Sequence, residues 1–356
     1  MTPTGLTWRR RFDGRAHRLG IALIGLVVLG LWSVLAGSST SVSRASSTDT
    51  DTDIALYNAI IERMDRGESY YEAVADEQPA RHYPVSPVVA VREPTLAWFV
   101  STVGRPAAVG VMLALGIAAL AVSVRTFELT ESSRSAWIAT TALAAAGIGT
   151  LCRPGVVGQH EIWAGLLIYL AFMLRGYGRV LLPVLLLLLA AMIRELAAPA
   201  MVVMLALAVR DRRNREATLW LVACGVFSMF YAWHFWQYSQ MTGPDGPAGP
   251  GWLELGGWPF VVDAFGGSSL LTLLPHAALA FAVPLAFLGW LSRSGDLFDR
   301  VTLLLVGYAA LLCVAGRPDN FYWGMLSVAL LLPGIAFGIG TISRSITAVV
   351  RERSST

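Results

Sequence analysis

The chain contains no lysine: all 27 of its basic residues are arginine, which we attribute to the composition of a GC-rich genome and not to function. Charge of either sign is scarce, at 14% of 356 residues against 55% hydrophobic ones, and the mean hydropathy is +0.58. So little polar surface cannot cover a soluble domain of this length. The net charge of +3 is too small, and the arginines too dispersed among short loops, for a nucleic-acid partner. Cysteine is nearly absent. Cys152, Cys224 and Cys313 lie in or beside apolar segments with no CxxC or metal-ligand spacing, so neither a disulfide framework nor a zinc site is expected. There is no internal repeat of about 20 to 50 residues and no two-half symmetry, which excludes a solenoid and counts modestly against a transporter.

What is present is mostly hydrocarbon. Apolar stretches bounded by charge or by Gly and Pro recur at 19–37, 106–124, 135–151, 157–173, 179–193, 196–209, 217–238, 269–291, 301–316 and 321–340. By length these make about ten transmembrane helices. No unpaired backbone crosses the hydrocarbon, so each must be helical. The first run, LGIALIGLVVLGLWSVLAG, follows the basic RRRFDGRAHR as a signal peptide would. Its length and the polytopic remainder point to an uncleaved anchor.

With the N-terminus inside, the turns RGYGR, RDRRNRE and SRSGDLFDR and the tail SRSITAVVRERSST all fall on the cytoplasmic face, as the positive-inside rule requires. The domain reading follows. Residues 1–18 form a cytoplasmic segment, 19–340 one membrane domain with outer loops 38–105 and 240–268, and 341–356 a cytoplasmic tail. Nearly every junctional acid then collects on the outer face. Trp98, Trp163, Trp252, Trp258 and Trp323 fall at the same boundary, where an interfacial belt is expected.

Directly after the first span comes DTDTDIALYNAIIERMDRGESYY, residues 49–71. Ile54, Tyr57, Ile61 and Met64 recur at helical spacing and form an apolar face, so a helix lying along the membrane surface is expected. Asp49 or Asp51 suits its N-cap. Asp53 stands one turn before Tyr57. Asp53, Tyr57, Arg63, Met64, Gly67, Tyr70 and Tyr71 together make a pattern that resembles the first extracytoplasmic loop of the GT-C glycosyltransferases, the group of the lipid-A aminoarabinose transferases and protein O-mannosyltransferases. The resemblance covers roughly residues 15–210 at motif level.

It implies a GT-C-like, all-α fold with juxtamembrane helices in the first outer loop. It further implies a bacterial inner-membrane location, a polyprenyl-phosphate sugar donor, an envelope glycan or lipid acceptor, inverting transfer, and the loop aspartate as catalytic base. Asp53 is followed by Ile54 where many members have a second acid, so either Asp53 or Asp51 matches the family residue. No metal ligand set is identified and no cofactor is required. The Asp-x-Asp-x-Asp run suits either a divalent cation or solvent.

The chemistry accounts for these residue types. A hydroxyl attacking an anomeric carbon needs a carboxylate to take its proton. The polyprenyl phosphate leaves as an anion and needs cations nearby. In MIRELAAP, Arg194 and Glu195 interrupt an apolar run and belong at an outer helix junction, either as a self-satisfied pair or with Arg194 as a phosphate ligand. In GQHEIWAG, Glu161 is a candidate supporting acid and His160 a substrate contact or an ordinary interfacial residue. In GRPDNFYWG, Arg317, Asp319 and Asn320 suit a sugar or phosphate, or a helix cap. Arg153 is the alternative to Arg317 as second phosphate ligand. The Gly/Pro-rich 242–267 is a candidate lid, its second half from Trp258 to Phe265 lies in the interface, and Asp263 is the rival base. The alternative reading is a transporter or flippase of a lipid-linked glycan, binding its cargo through the same groups.

Overall fold

The computed structural model describes residues 4–12, 16–37, 48–241 and 254–355. It is all-helical, with 82% of residues in helix. Fifteen α-helices follow in order: α1 (Ala16–Ala36), α2 (Thr48–Asp65), α3 (Tyr70–Ala80), α4 (Thr95–Val103), α5 (Arg105–Thr130), α6 (Arg134–Leu151), α7 (His160–Gly176), α8 (Leu181–Ile193), α9 (Ala198–Arg210), α10 (Asn214–Ser239), α11 (Gly257–Gly267), α12 (His276–Leu291), α13 (Asp296–Ala315), α14 (Val328–Leu331) and α15 (Pro333–Ser355). Arg9–Arg10 pairs antiparallel with Arg293–Ser294 as a two-residue ribbon.

Five segments are long and apolar enough to cross a membrane: His17–Ala36, Arg105–Thr130, Asn214–Ser239, Asp296–Ala315 and Val328–Thr347. The apolar helices α8 and α12 are shorter. The chain therefore reads as a membrane protein.

At the centre stands α7, buried at every residue except Leu174. A helix apolar on all sides belongs inside a bundle, and α5, α6, α8 and α13 pack around it. By contrast α1 lies at the periphery against α11 and α12. Its residues Ile21, Ile24 and Leu35 are exposed, as they would be toward lipid. The closest helix approach joins α12 to α15, where a Cβ on Gly289 would lie 1.8 Å from the Gly334 carbonyl oxygen. Gly289→Ala is expected to destabilise the protein by about 1–3 kcal/mol through forced separation of these helices. An unchanged thermal midpoint in detergent would refute that packing.

The bundle has two polar ends. At one, where α5 begins, Arg105 donates to Asn58 Oδ1 at 2.7 Å. At the other, where α5 finishes, Trp8 Nε1 donates to the Thr130 carbonyl at 3.0 Å and Arg293 pairs with Glu131. Beside that second cluster Arg175 forks onto Glu216 at 2.7 and 2.6 Å and reaches Asp296 at 3.1 Å. Arg213 and Arg300 share Asp296 at 2.9 and 3.1 Å. Buried acids thus stand at both ends, not on one face as the loop assignment implied, because each is neutralised there by an arginine of the same turns.

Several local expectations change for the same reason, that packing overrides pattern. The buried face of α2 is Leu56, Ile60 and Ile61, which fit against α3 and α4, while Ile54, Tyr57 and Met64 are only half-buried. Trp163, Trp258 and Trp323 are core residues, and of the expected belt only Trp98 is exposed among the described residues. Trp252 lies outside them. In the Gly/Pro-rich stretch, residues 242–253 also lie outside the described residues, and α11 is buried against α13 and the 3₁₀ segment Pro318–Leu326 instead of lying in an interface. The final helix runs unbroken through residue 340 to Ser355, so no boundary separates a tail there.

Candidate functional site

The crevice forms at the end where α5 begins. Its position follows from helix length. At about 1.5 Å per residue, the 13-residue α8 and α9 are about 20 Å long and α5 about 39 Å, so the α8–α9 junction is recessed on the order of 15 Å below the start of α5. Over this recess lie α2, α3, α4 and the loop that joins α3 to α4.

That loop is held from three sides. Gln78 Nε2 donates to the Ala90 carbonyl at 3.0 Å, and Tyr70 Oη donates to the Arg92 carbonyl at 2.7 Å. His234 Nε2 lies 3.2 Å from the Val91 carbonyl and Nδ1 lies 2.8 Å from Tyr71 Oη. A carbonyl only accepts, so Nε2 carries the proton and Nδ1 accepts from the tyrosine. Tyr70 and Tyr71, expected at the substrate, instead fasten the loop. A local capping box on Ser69 and Glu72 starts the helix that presents them.

The loop delivers Arg92 beneath α2. Arg92 Nε donates to Tyr57 Oη at 3.2 Å, Nη2 to Tyr322 Oη at 3.2 Å and Nη1 to the Val89 carbonyl at 3.1 Å. All three acceptors are neutral. Among the described residues Arg92 forms no ion pair, which is unusual for an arginine so far inside a protein. Tyr57 packs edge-on against His160 with ring centroids 4.9 Å apart. Burial holds its hydroxyl far above the usual tyrosine range, so it stays protonated. One turn earlier Asp53, half-buried at the rim, accepts from Tyr83 Oη at 2.5 Å.

The floor is ionic. Arg194, 1% exposed, donates to Glu161 Oε1 at 2.7 Å and to both oxygens of Glu195 at 2.5 and 2.7 Å. It stands in extended backbone between the 3₁₀ turn Glu195–Ala197 and α8, where the chain reverses. Burial opposes ionisation of Glu195, but Arg194 and then Arg92 hold its carboxyl below the usual range. Glu93 is the reverse case, pushed far up by burial and next by Glu195.

No family model, curated protein or solved structure matches the chain. The residues themselves therefore carry the assignment.

Asp53, Tyr57, His160, Glu161, Arg194 and Glu195, singled out from separate parts of the sequence, come together here. Their roles shift. Arg194 is consumed by two carboxylates and is not open to a phosphate, and Glu161, equally buried, holds Arg194 instead of reaching the crevice. His160 is 3% exposed with both ring nitrogens unpartnered among the described residues, and it lines a cavity of about 10 Å³ below Tyr57 and Tyr70. That is room for about one water. Arg153 is exposed on the turn before α7. Arg317 is half-buried, and Asn320 is 6% exposed with its amide nitrogen unpartnered. From that segment it is Tyr322 that reaches the crevice. The side chains of Asp49, Asp51 and Asp319 lie outside the described residues. Asp263 is 4% exposed in α11 and lies 3.7 Å from His276, remote from Arg92 in the contacts it makes there. Among the described residues no group of three or more His, Cys, Asp and Glu side chains is placed to hold a metal.

Sequence reasoning passed over Arg92, Glu93 and Tyr83. Arg92 and Glu93 sit in VREP, a loop with no periodicity, and only folding reveals what they meet.

Proposed function

We propose that the chain is a membrane glycosyltransferase of the GT-C kind, with about ten spans. It would transfer a sugar from a polyprenyl-phosphate donor to an envelope glycan or lipid acceptor, with inversion, at the outer face of a bacterial inner membrane. On this reading the crevice end is the extracytoplasmic one and both termini are cytoplasmic. The observation that carries it is the pairing of a rim carboxylate, Asp53, with a deeper arginine that has no carboxylate of its own, Arg92.

Asp53 would take the acceptor's hydroxyl proton as the oxygen bonds to the anomeric carbon. The bond from that carbon to the phosphate oxygen breaks in the same displacement, and polyprenyl phosphate leaves as an anion. Arg92, fixed by two tyrosine hydroxyls and a carbonyl, is placed to stabilise that charge without rearrangement. Asp53 then returns its proton to water at the rim. Arg194, Glu161 and Glu195 act through position, since they fix the junction on which Arg92 and Tyr57 rest.

The transporter or flippase reading has one observation in its favour: buried ion pairs close both ends of the bundle, as opposed gates would. Purified protein in liposomes carrying lipid-linked sugars separates the two. A transferase releases free polyprenyl phosphate, and Arg92→Gln lowers that rate by about 100-fold or more, as loss of a donor to transition-state charge does. Passage of intact lipid-linked sugar across the bilayer, with no cleavage, would overturn the transferase reading.

A further inference from the structure

Glu93 is the acid of the crevice that no partner claims among the described residues. Its side chain is 1% exposed, and both carboxyl oxygens are buried without a hydrogen-bond donor. The nearby carboxylates Glu161 and Glu195 both have Arg194. That guanidinium is already balanced by two negative charges, so a third carboxylate beside it would stand uncompensated in a dry setting. A neutral carboxylic acid there costs far less.

The surroundings agree from every side. Arg92 is the chain neighbour of Glu93, Arg194 and Glu195 come from the α8–α9 junction, Tyr70 and Tyr71 from α3, Tyr231 from α10, and His160 from α7 acts on its backbone. Of these only Arg194 favours ionisation strongly, against burial and Glu195. With Glu93 neutral, the floor carries Arg92 and Arg194 against Glu161 and Glu195, and Asp53 adds one negative charge at the rim. An anion bound at Arg92 adds another. Ionisation of Glu93 would add yet one more, so the anion and the Glu93 proton must favour each other.

We infer that Glu93 is a proton-binding site of the crevice, and that the crevice takes up its anionic ligand together with one proton. The inference rests on the reading of Arg92 as the anion ligand. The proton comes from solvent to the Glu93 carboxylate as the anion binds and returns when the anion leaves. Linkage makes the effect reciprocal: the proton tightens the anion as much as the anion tightens the proton. The sign follows. Anion affinity is full while Glu93 is protonated and is lost as pH rises through its elevated range.

The test uses purified full-length protein in lipid nanodiscs and a geranyl methyl phosphodiester, whose single charge is constant over the pH range. Wild-type affinity is expected to fall at alkaline pH with a slope approaching about tenfold per pH unit, the limit for one coupled proton. Calorimetry in two buffers of unlike protonation enthalpy should show proton uptake on that limb. Glu93→Gln should keep the acidic-limit affinity at all pH, and Arg92→Gln should bind weakly throughout. The calorimetric arm needs no variant, so it stands even if Glu93→Gln does not fold.

An equal alkaline slope in Glu93→Gln, or tight wild-type binding without uptake across the range, overturns the proton coupling alone. Absence of binding at any pH, or undiminished binding by Arg92→Gln, overturns the anion reading of Arg92 and this inference with it.

Discussion

Asp53→Asn is expected to reduce sugar transfer by about 100- to 10,000-fold, the range over which a positioned general base contributes. The amide keeps the shape and still accepts a hydrogen bond from Tyr83, 2.5 Å from the native Oδ1, so the protein level should be unchanged. It has no basic oxygen to receive the acceptor's proton. In cells the surface glycan should disappear while its polyprenyl-phosphate sugar accumulates. Asp51→Asn is the parallel variant, because it tests the other residue that fits the family position. Loss with Asp51→Asn alone would move the base by two residues, and an unchanged glycan in both would remove catalysis from this stretch.

The second large effect is on stability. Arg194→Leu leaves Glu161, 1% exposed, and Glu195 without their cation, and removal of one member of a buried pair costs about 3–5 kcal/mol. That is a large part of the total stability of a typical domain. The variant should unfold well below the wild type in detergent, or fail to accumulate. Arg92 makes the contrast. Its truncation strands no carboxylate and removes only hydrogen bonds to Tyr57, Tyr322 and Val89, each worth on the order of 1 kcal/mol. If Arg92→Gln were as destabilising as Arg194→Leu, Arg92 would be structural and its place in the chemistry would fall. If Arg194→Leu folded normally and lost only activity, the assignment of the two arginines would be reversed.

The division between these arginines also shows what a sequence can and cannot convey. Arg194 interrupts a run of hydrocarbon, so its anomaly is visible in one dimension, and its bond to the adjacent Glu195 was one of two readings available there. Its bond to Glu161 was not, because 33 residues separate them and no spacing rule links two helices. Arg92 is ordinary in sequence, an arginine in an outer loop before a glutamate and a proline. It becomes exceptional only when α3, α7, α10 and the 318–326 segment enclose it. The tryptophans teach the same lesson in reverse, since position near a span end suggested an interface and burial put three of them in the core.

From composition and apolar run length alone it followed that the chain is helical and belongs in a membrane, because hydrocarbon admits few other backbones and so little charge cannot coat a soluble surface. The helical start of the loop at Asp53 and Tyr57 was legible for a similar local reason, the spacing of apolar residues. Which helices run the full length, which acids are paired at which end, and which arginine is left without a carboxylate were decided only by tertiary structure. Each of these depends on contacts between residues far apart in the chain, and electrostatic balance is a property of a place, not of a segment.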